Sequence, residues 1–74
     1  MLRRPDPLAL VADLTRQLAE DFDTVPIRLV STAVRSAASA VELFGNDVAA
    51  SLDTVERIAR EDLIAIRDAA TAAA

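Results

Sequence analysis

Cysteine, histidine and lysine are all missing from this chain of 74 residues, whose eight basic side chains are every one arginine. Without Cys there is no disulfide, and without Cys or His the usual zinc and haem ligand sets are gone. Catalysis is thinned out by the same gaps. General acid–base work falls most often to His, and nucleophilic work to an activated Ser, Cys or Lys beside a base. Ser31, Ser36, Ser39 and Ser51 have no imidazole or amine to activate them. Glu61 and Asp62 adjoin in sequence, so on a helix they point about 100° apart and make no carboxylate pair. There is no Gly-rich phosphate loop. The expectation is a protein that is not an enzyme and that carries no cofactor and no metal.

Turn formers and aromatics are scarce as well. One Gly and three Pro, each near an expected helix boundary, leave little turn material for a sheet. Phe22 and Phe44 are the only aromatics in a chain that is 53% hydrophobic, so the apolar content is Ala, Val, Leu and Ile. That composition suits closely packed helices. The net charge of -4 argues against nucleic acid, whose binding needs a basic face to neutralise phosphates. Arg28, Arg35 and Glu42 interrupt the most apolar stretch, so no window of about 20 residues could span a membrane. Asp13 breaks the short apolar run after Arg3 and Arg4 before a signal-peptide core of about 7 to 15 residues is reached. A soluble, cytoplasmic protein is expected.

What is present is helical periodicity. Asp6 followed by Pro7 is a helix start, with a carboxylate for the orphan N–H groups and a residue that needs none. Leu8, Val11, Leu14, Leu18 and Phe22 then form a buried stripe, and Arg16 with Glu20 makes a surface pair. In the second helix Ile27, Val30, Val34, Ala37, Val41 and Phe44 alternate steps of three and four. Asp23 or Thr24 is its expected cap, Pro26 falls in its first turn, and Gly45 provides a left-handed stop. The acidic run Glu20, Asp21, Asp23 lacks the spacing of a calcium loop and reads as a solvated boundary. In the third helix Asn46 or Asp47 is the cap, and Val48, Leu52, Val55, Ala59, Leu63, Ile66 and Ala70 face inward. Asp53 and Glu56 resemble a capping box, so a kink or fresh start is possible between Leu52 and Thr54.

The predicted architecture is all-α: a three-helix bundle forming one domain over 1–74, with helices over about 7–22, 24–44 and 47–70, a frayed arm at 1–5 and a frayed tail at 71–74. The second helix is its centre and carries more apolar circumference than one flank can hide, because Leu29, Ala33, Ser36, Ala40 and Leu43 extend the stripe sideways. A core of this size seldom supplies more than about 3 to 5 kcal/mol, and with disulfides and metals excluded self-association is the remaining common device. The chain is therefore expected to pair as a homodimer through Leu29, Ala33, Ser36, Ala40 and Leu43. Ile64, an apolar residue among Arg57, Arg60, Arg67 and Asp68, is an additional candidate contact.

The spacing Phe22, Val25-Pro26, Val30, Val34, Ala37, followed by Val55-Glu56-Arg57-Ile58-Ala59-Arg60-Glu61 and Leu63, resembles a small three-helix-bundle dimerisation domain of high-GC, actinobacterial-type bacteria. That family also occurs fused to low-molecular-weight phosphatase or arsenate-reductase-like domains. The resemblance runs from about Val11 to Ala69 and implies homodimerisation, with no catalytic residues. Two other readings stand beside it. A helix-turn-helix unit would bind DNA through Thr54, Arg57 and Arg60, although Asp53, Glu56, Glu61 and Asp62 share that segment. An adaptor subunit would dock a separately encoded enzyme, a protein partner, through the same apolar flank.

Overall fold

The computed structural model describes residues 6–73. Among them the chain forms three α-helices and no strand: α1 (Pro7–Asp21), α2 (Ile27–Leu43) and α3 (Leu52–Ala73). The expected arm at 1–5 lies outside the described residues. α1 starts as its sequence dictates, with the Leu8 N–H donating to Asp6 Oδ1 at 3.1 Å and Pro7 following the cap. A link of a few residues joins α1 to α2, which forces the two to run antiparallel. Phe22 and Val25 turn inward from this link, 5% and 7% exposed, and close one end of the core.

α2 is the central element: it packs most extensively against α3, then against α1, while α1 and α3 touch each other least. Its inward line is Val30, Val34, Ala37 and Val41, all buried. Leu14 and Leu18 of α1 meet it from one side, and Val55, Ala59 and Leu63 of α3 from the other. The residues of α3 that matter here are four apart, so their line drifts about 40° round the helix at each step and α3 wraps across α2.

α2 ends in a two-bond left-handed stop. The Gly45 N–H donates to the Glu42 carbonyl at 2.9 Å, the Asn46 N–H to that of Val41 at 3.1 Å, and Gly45 has φ +79°.

Several boundaries and stripe ends depart from expectation. α2 begins at Ile27 rather than near 24, because Pro26 occupies the cap position with no side-chain bond; neither Asp23 nor Thr24 caps it. α3 begins at Leu52 rather than 47. Asp47 Oδ1 accepts from the Ala49 N–H at 3.1 Å and its carbonyl from the Ser51 N–H at 2.9 Å, which makes Val48–Ser51 a separate single turn. The Ser51 carbonyl then accepts from Thr54 and Val55, so the fresh start falls where the sequence allowed it. Of the expected frayed tail 71–74, the stretch 71–73 belongs to α3, and residue 74 lies outside the described residues.

Leu8, Ile27 and Phe44 were expected inside yet are 78%, 60% and 83% exposed. Each sits at a helix end, where no further turn of a neighbour covers it. Ala70 is exposed for a similar reason, since α3 has 22 residues against the 17 of α2 and runs past it. Arg16 pairs with Asp13 at 3.1 Å, not with Glu20.

Candidate functional site: the outer face of helix α2

Leu29, Ser36 and Leu43 lie seven residues apart, as do Ala33 and Ala40. On a helix each seven-residue step drifts only about 20°, so these five side chains form one stripe along the side of α2 that flanks its core-facing line. They are not equally available. Ala33 is 5% exposed and belongs to the core, because its small side chain lets α3 close over it. Leu29 and Ala40 are half-buried, with Leu29 packed against the core, and Ser36 is exposed. Leu43 stands 87% exposed at the end of the stripe.

The stripe forms one wall of a trough. Near Leu43 a shallow depression is lined by Thr32, Arg35, Ser36, Ser39 and Ala40. Thr32 and Ser36 also border the next depression, where Leu29 and Ala33 face Asp62, Ala65 and Ile66 of α3. Leu29 and Ile66 in turn border a third, formed with Val25, Pro26 and Ala70 and rimmed by Arg67. The three depressions therefore lie in a row along α2, the one near Leu43 formed by α2 alone and the other two between α2 and α3. The α3 contribution was missed from sequence, since spacing within α3 does not tell which of its residues edge a groove against α2.

This face mixes apolar and polar groups, with Arg35, Ser36 and Ser39 exposed beside Ala40 and Leu43. Thr32 Oγ1 donates to the Arg28 carbonyl at 2.8 Å, which satisfies the hydroxyl within its own helix and turns the methyl group outward. Arg28, Arg35 and Glu42 are exposed along the α1 side of the stripe, and Asp62 along the α3 side. At the far end Arg67 covers the Phe22 ring, its guanidinium carbon 5.5 Å from the centroid.

Ile64 is not part of the trough. It is 41% exposed on another face of α3, bordered by Asp53, Glu56, Arg57, Arg60 and Glu61. On that face Arg60 Nε donates to Glu56 at 2.9 Å and its Nη2 to Asp21 of α1 at 2.8 Å. Hydrogen bonds to Glu56 and then Asp21 raise the Arg60 pKa above its ordinary value, against a small opposing effect of burial. Arg60 is thus committed to carboxylates, and the turn Val48–Ser51 stands where a helix-turn-helix unit would need its first helix.

Among the described residues no three acidic, His or Cys side chains converge to hold a metal ion, and no helix is long and apolar enough to cross a membrane. Compared with family models, curated proteins and solved structures, the chain matches none.

Proposed function

We propose that this chain is a cytoplasmic, non-enzymatic dimerisation module, in which the α2 trough of one subunit is covered by a second copy. The observation that carries this reading is Leu43, 87% exposed at one end of a row of shallow depressions that reaches Leu29 and Pro26 at the other. Burial of apolar surface, at roughly 25 cal/mol per Å², would drive the association. The resemblance of Phe22, Val25-Pro26 and the Val55–Leu63 segment to a bacterial dimerisation domain points the same way.

Size sets what the interface must include. α2 is ~25 Å long and a helix ~10 Å wide, so its own face offers a footprint of about 250 Å². A standard interface takes about 800 Å² per partner. The stripe alone falls about threefold short, so the contact would have to extend over α3 as well, beginning with the edge at Asp62, Ala65 and Ile66.

Sedimentation equilibrium of the purified chain tests the reading. A dimer at micromolar concentration that becomes a folded monomer on Leu43→Asp is the expected result. A wild-type chain that stays monomeric and folded at that concentration overturns it. The adaptor reading uses the same trough for a different protein, and a dimeric mass favours self-pairing over it.

A further inference from the structure

We infer that the two copies pair antiparallel, with the two-fold axis passing beside Ser36, so that Leu43 of each subunit seats in the Pro26–Leu29–Ile66 groove of the other. This rests on the pairing proposed above and adds its direction and register.

Position and shape carry it, and charge, the third feature weighed, does not decide against it. The first is position: Leu29 and Leu43 lie seven residues either side of Ser36, about 10 Å along the axis each way. A two-fold at Ser36 perpendicular to α2 therefore sets each Leu29 at the level of the partner's Leu43. The second is shape. One end of the row carries a protruding apolar side chain, Leu43 at 87% exposure. The other end is a concave apolar groove with Pro26, Leu29, Ile66 and Ala70 in its walls. Antiparallel pairing puts knob into groove at both ends. Parallel pairing stacks knob on knob at one end and leaves groove facing groove at the other.

The third feature is charge. Under the antiparallel two-fold, the flank bearing Arg28, Arg35 and Glu42 faces its own reversed copy. Arg28 and the partner's Glu42 then differ in level by two residues, about 3 Å, and two such pairs form by symmetry. The axis also brings Arg35 near the partner's Arg35 and, on the α3 side, Asp62 near the partner's Asp62; all are exposed, so salt screens both repulsions. A parallel pair would instead offer Arg35 to the partner's Asp62. That exchange of ion pairs is close to even, and the filling of the groove decides between the two directions.

The absence of native cysteine makes cross-linking a clean test. Leu29→Cys and Leu43→Cys are prepared as separate single variants, each checked for dimeric mass, then oxidised alone and as an equimolar mixture. The expected result is a disulfide-linked dimer from the mixture and little from either variant alone, because a disulfide needs Cα atoms within about 7 Å. Efficient linking of Leu43→Cys to itself overturns the direction in favour of a parallel pair. A dimer that links in neither format overturns the register. A monomeric mass for the wild-type chain removes the pairing beneath it, a result that sedimentation reports separately from the cross-linking.

Discussion

Arg60 of α3 and Asp21, the last residue of α1, are 39 positions apart in sequence yet joined by a 2.8 Å hydrogen bond, while the same guanidinium holds Glu56 at 2.9 Å. This fork spans the least packed of the three helix contacts, α1 against α3. Nearby, Arg67 lies over Phe22. The two arginines clip the end of α1 to α3 from outside, where apolar contact is thin.

The clip orients more than it stabilises. Arg60 is about one-third exposed and Asp21 about half, and exposed pairs of this kind are worth about 0 to 1 kcal/mol. Arg60→Ala is expected to lower the unfolding free energy by less than about 1 kcal/mol in urea titrations, with most of that loss masked in high salt. A loss above about 2 kcal/mol would mean that α1 depends on the clip for docking.

A second set of substitutions separates the core from the trough. Leu63 is 0% exposed, and Leu→Ala at such sites costs about 2 to 5 kcal/mol, comparable to everything a core of this size supplies. Leu63→Ala should therefore be largely unfolded by circular dichroism at low concentration. Leu43→Asp should keep native helicity but lose the rise of Tm with protein concentration that a dimer shows. A wild-type Tm independent of concentration would contradict the role given to Leu43.

The contrast between these two leucines also marks what the sequence could reveal. Periodicity identified the interior of each stripe, Leu14 and Leu18, Val30 through Val41, Val55 through Leu63, because a period of 3.6 reports which side of a helix is buried. It says nothing about how far the neighbouring helix extends, and so Leu8, Ile27 and Phe44 were placed inside although nothing covers them. The start of α3 was misplaced for a related reason: Asp47 is a good cap, but the turn it caps stops at Ser51. Leu29, Ser36 and Leu43 could be grouped from spacing alone. Their α3 counterparts Ala65 and Ile66 could not, since which residues line a groove depends on the crossing of two helices. Ala33, grouped with the stripe from sequence, went into the core, and Ile64, named as a separate candidate contact, lies on another, charged face of α3.

Gly45 gives a test of the α2 stop. Its φ of +79° lies in the left-handed region, and a Cβ added there would meet nothing within 4 Å. The penalty for Gly45→Ala is therefore conformational alone, about 1 to 2 kcal/mol, with Gly45→Asn costing less because Asn tolerates that region. Thermal melts of the two variants should rank wild type, Asn, Ala. A collapse of both to the same low Tm would show that side-chain crowding matters here after all.

The pH profile should be flat through the neutral range. The chain has no His, Cys or Tyr and, as above, no Lys, so no side-chain type that normally titrates between about pH 6 and 10 is present. Arg60 is the group with a raised pKa, and a raised cation contributes stability that is complete below its unfolded pKa and is lost only as pH climbs through the folded one. For arginine that window lies beyond about pH 12. Unfolding free energies at pH 6, 8 and 10 should agree within about 0.5 kcal/mol, and a sloping profile would require a titrating group outside this inventory.

Charge reversal on the α2 flank tests the antiparallel pairing by a route independent of cross-linking. Arg28 and Glu42 are both exposed and fourteen residues apart, too far to meet within one helix, so in the isolated subunit neither compensates for the other. Across an antiparallel two-fold they meet twice. At about 0.2 to 1 kcal/mol per exposed pair, Arg28→Glu or Glu42→Arg alone should weaken association by several-fold, through two lost attractions and two new repulsions. The double variant exchanges the charges and restores the pairing, so its dissociation constant should return towards wild type, and the differences should shrink as salt is raised. Additive weakening in the double variant would show that the two residues act separately, as they would if the subunits ran parallel.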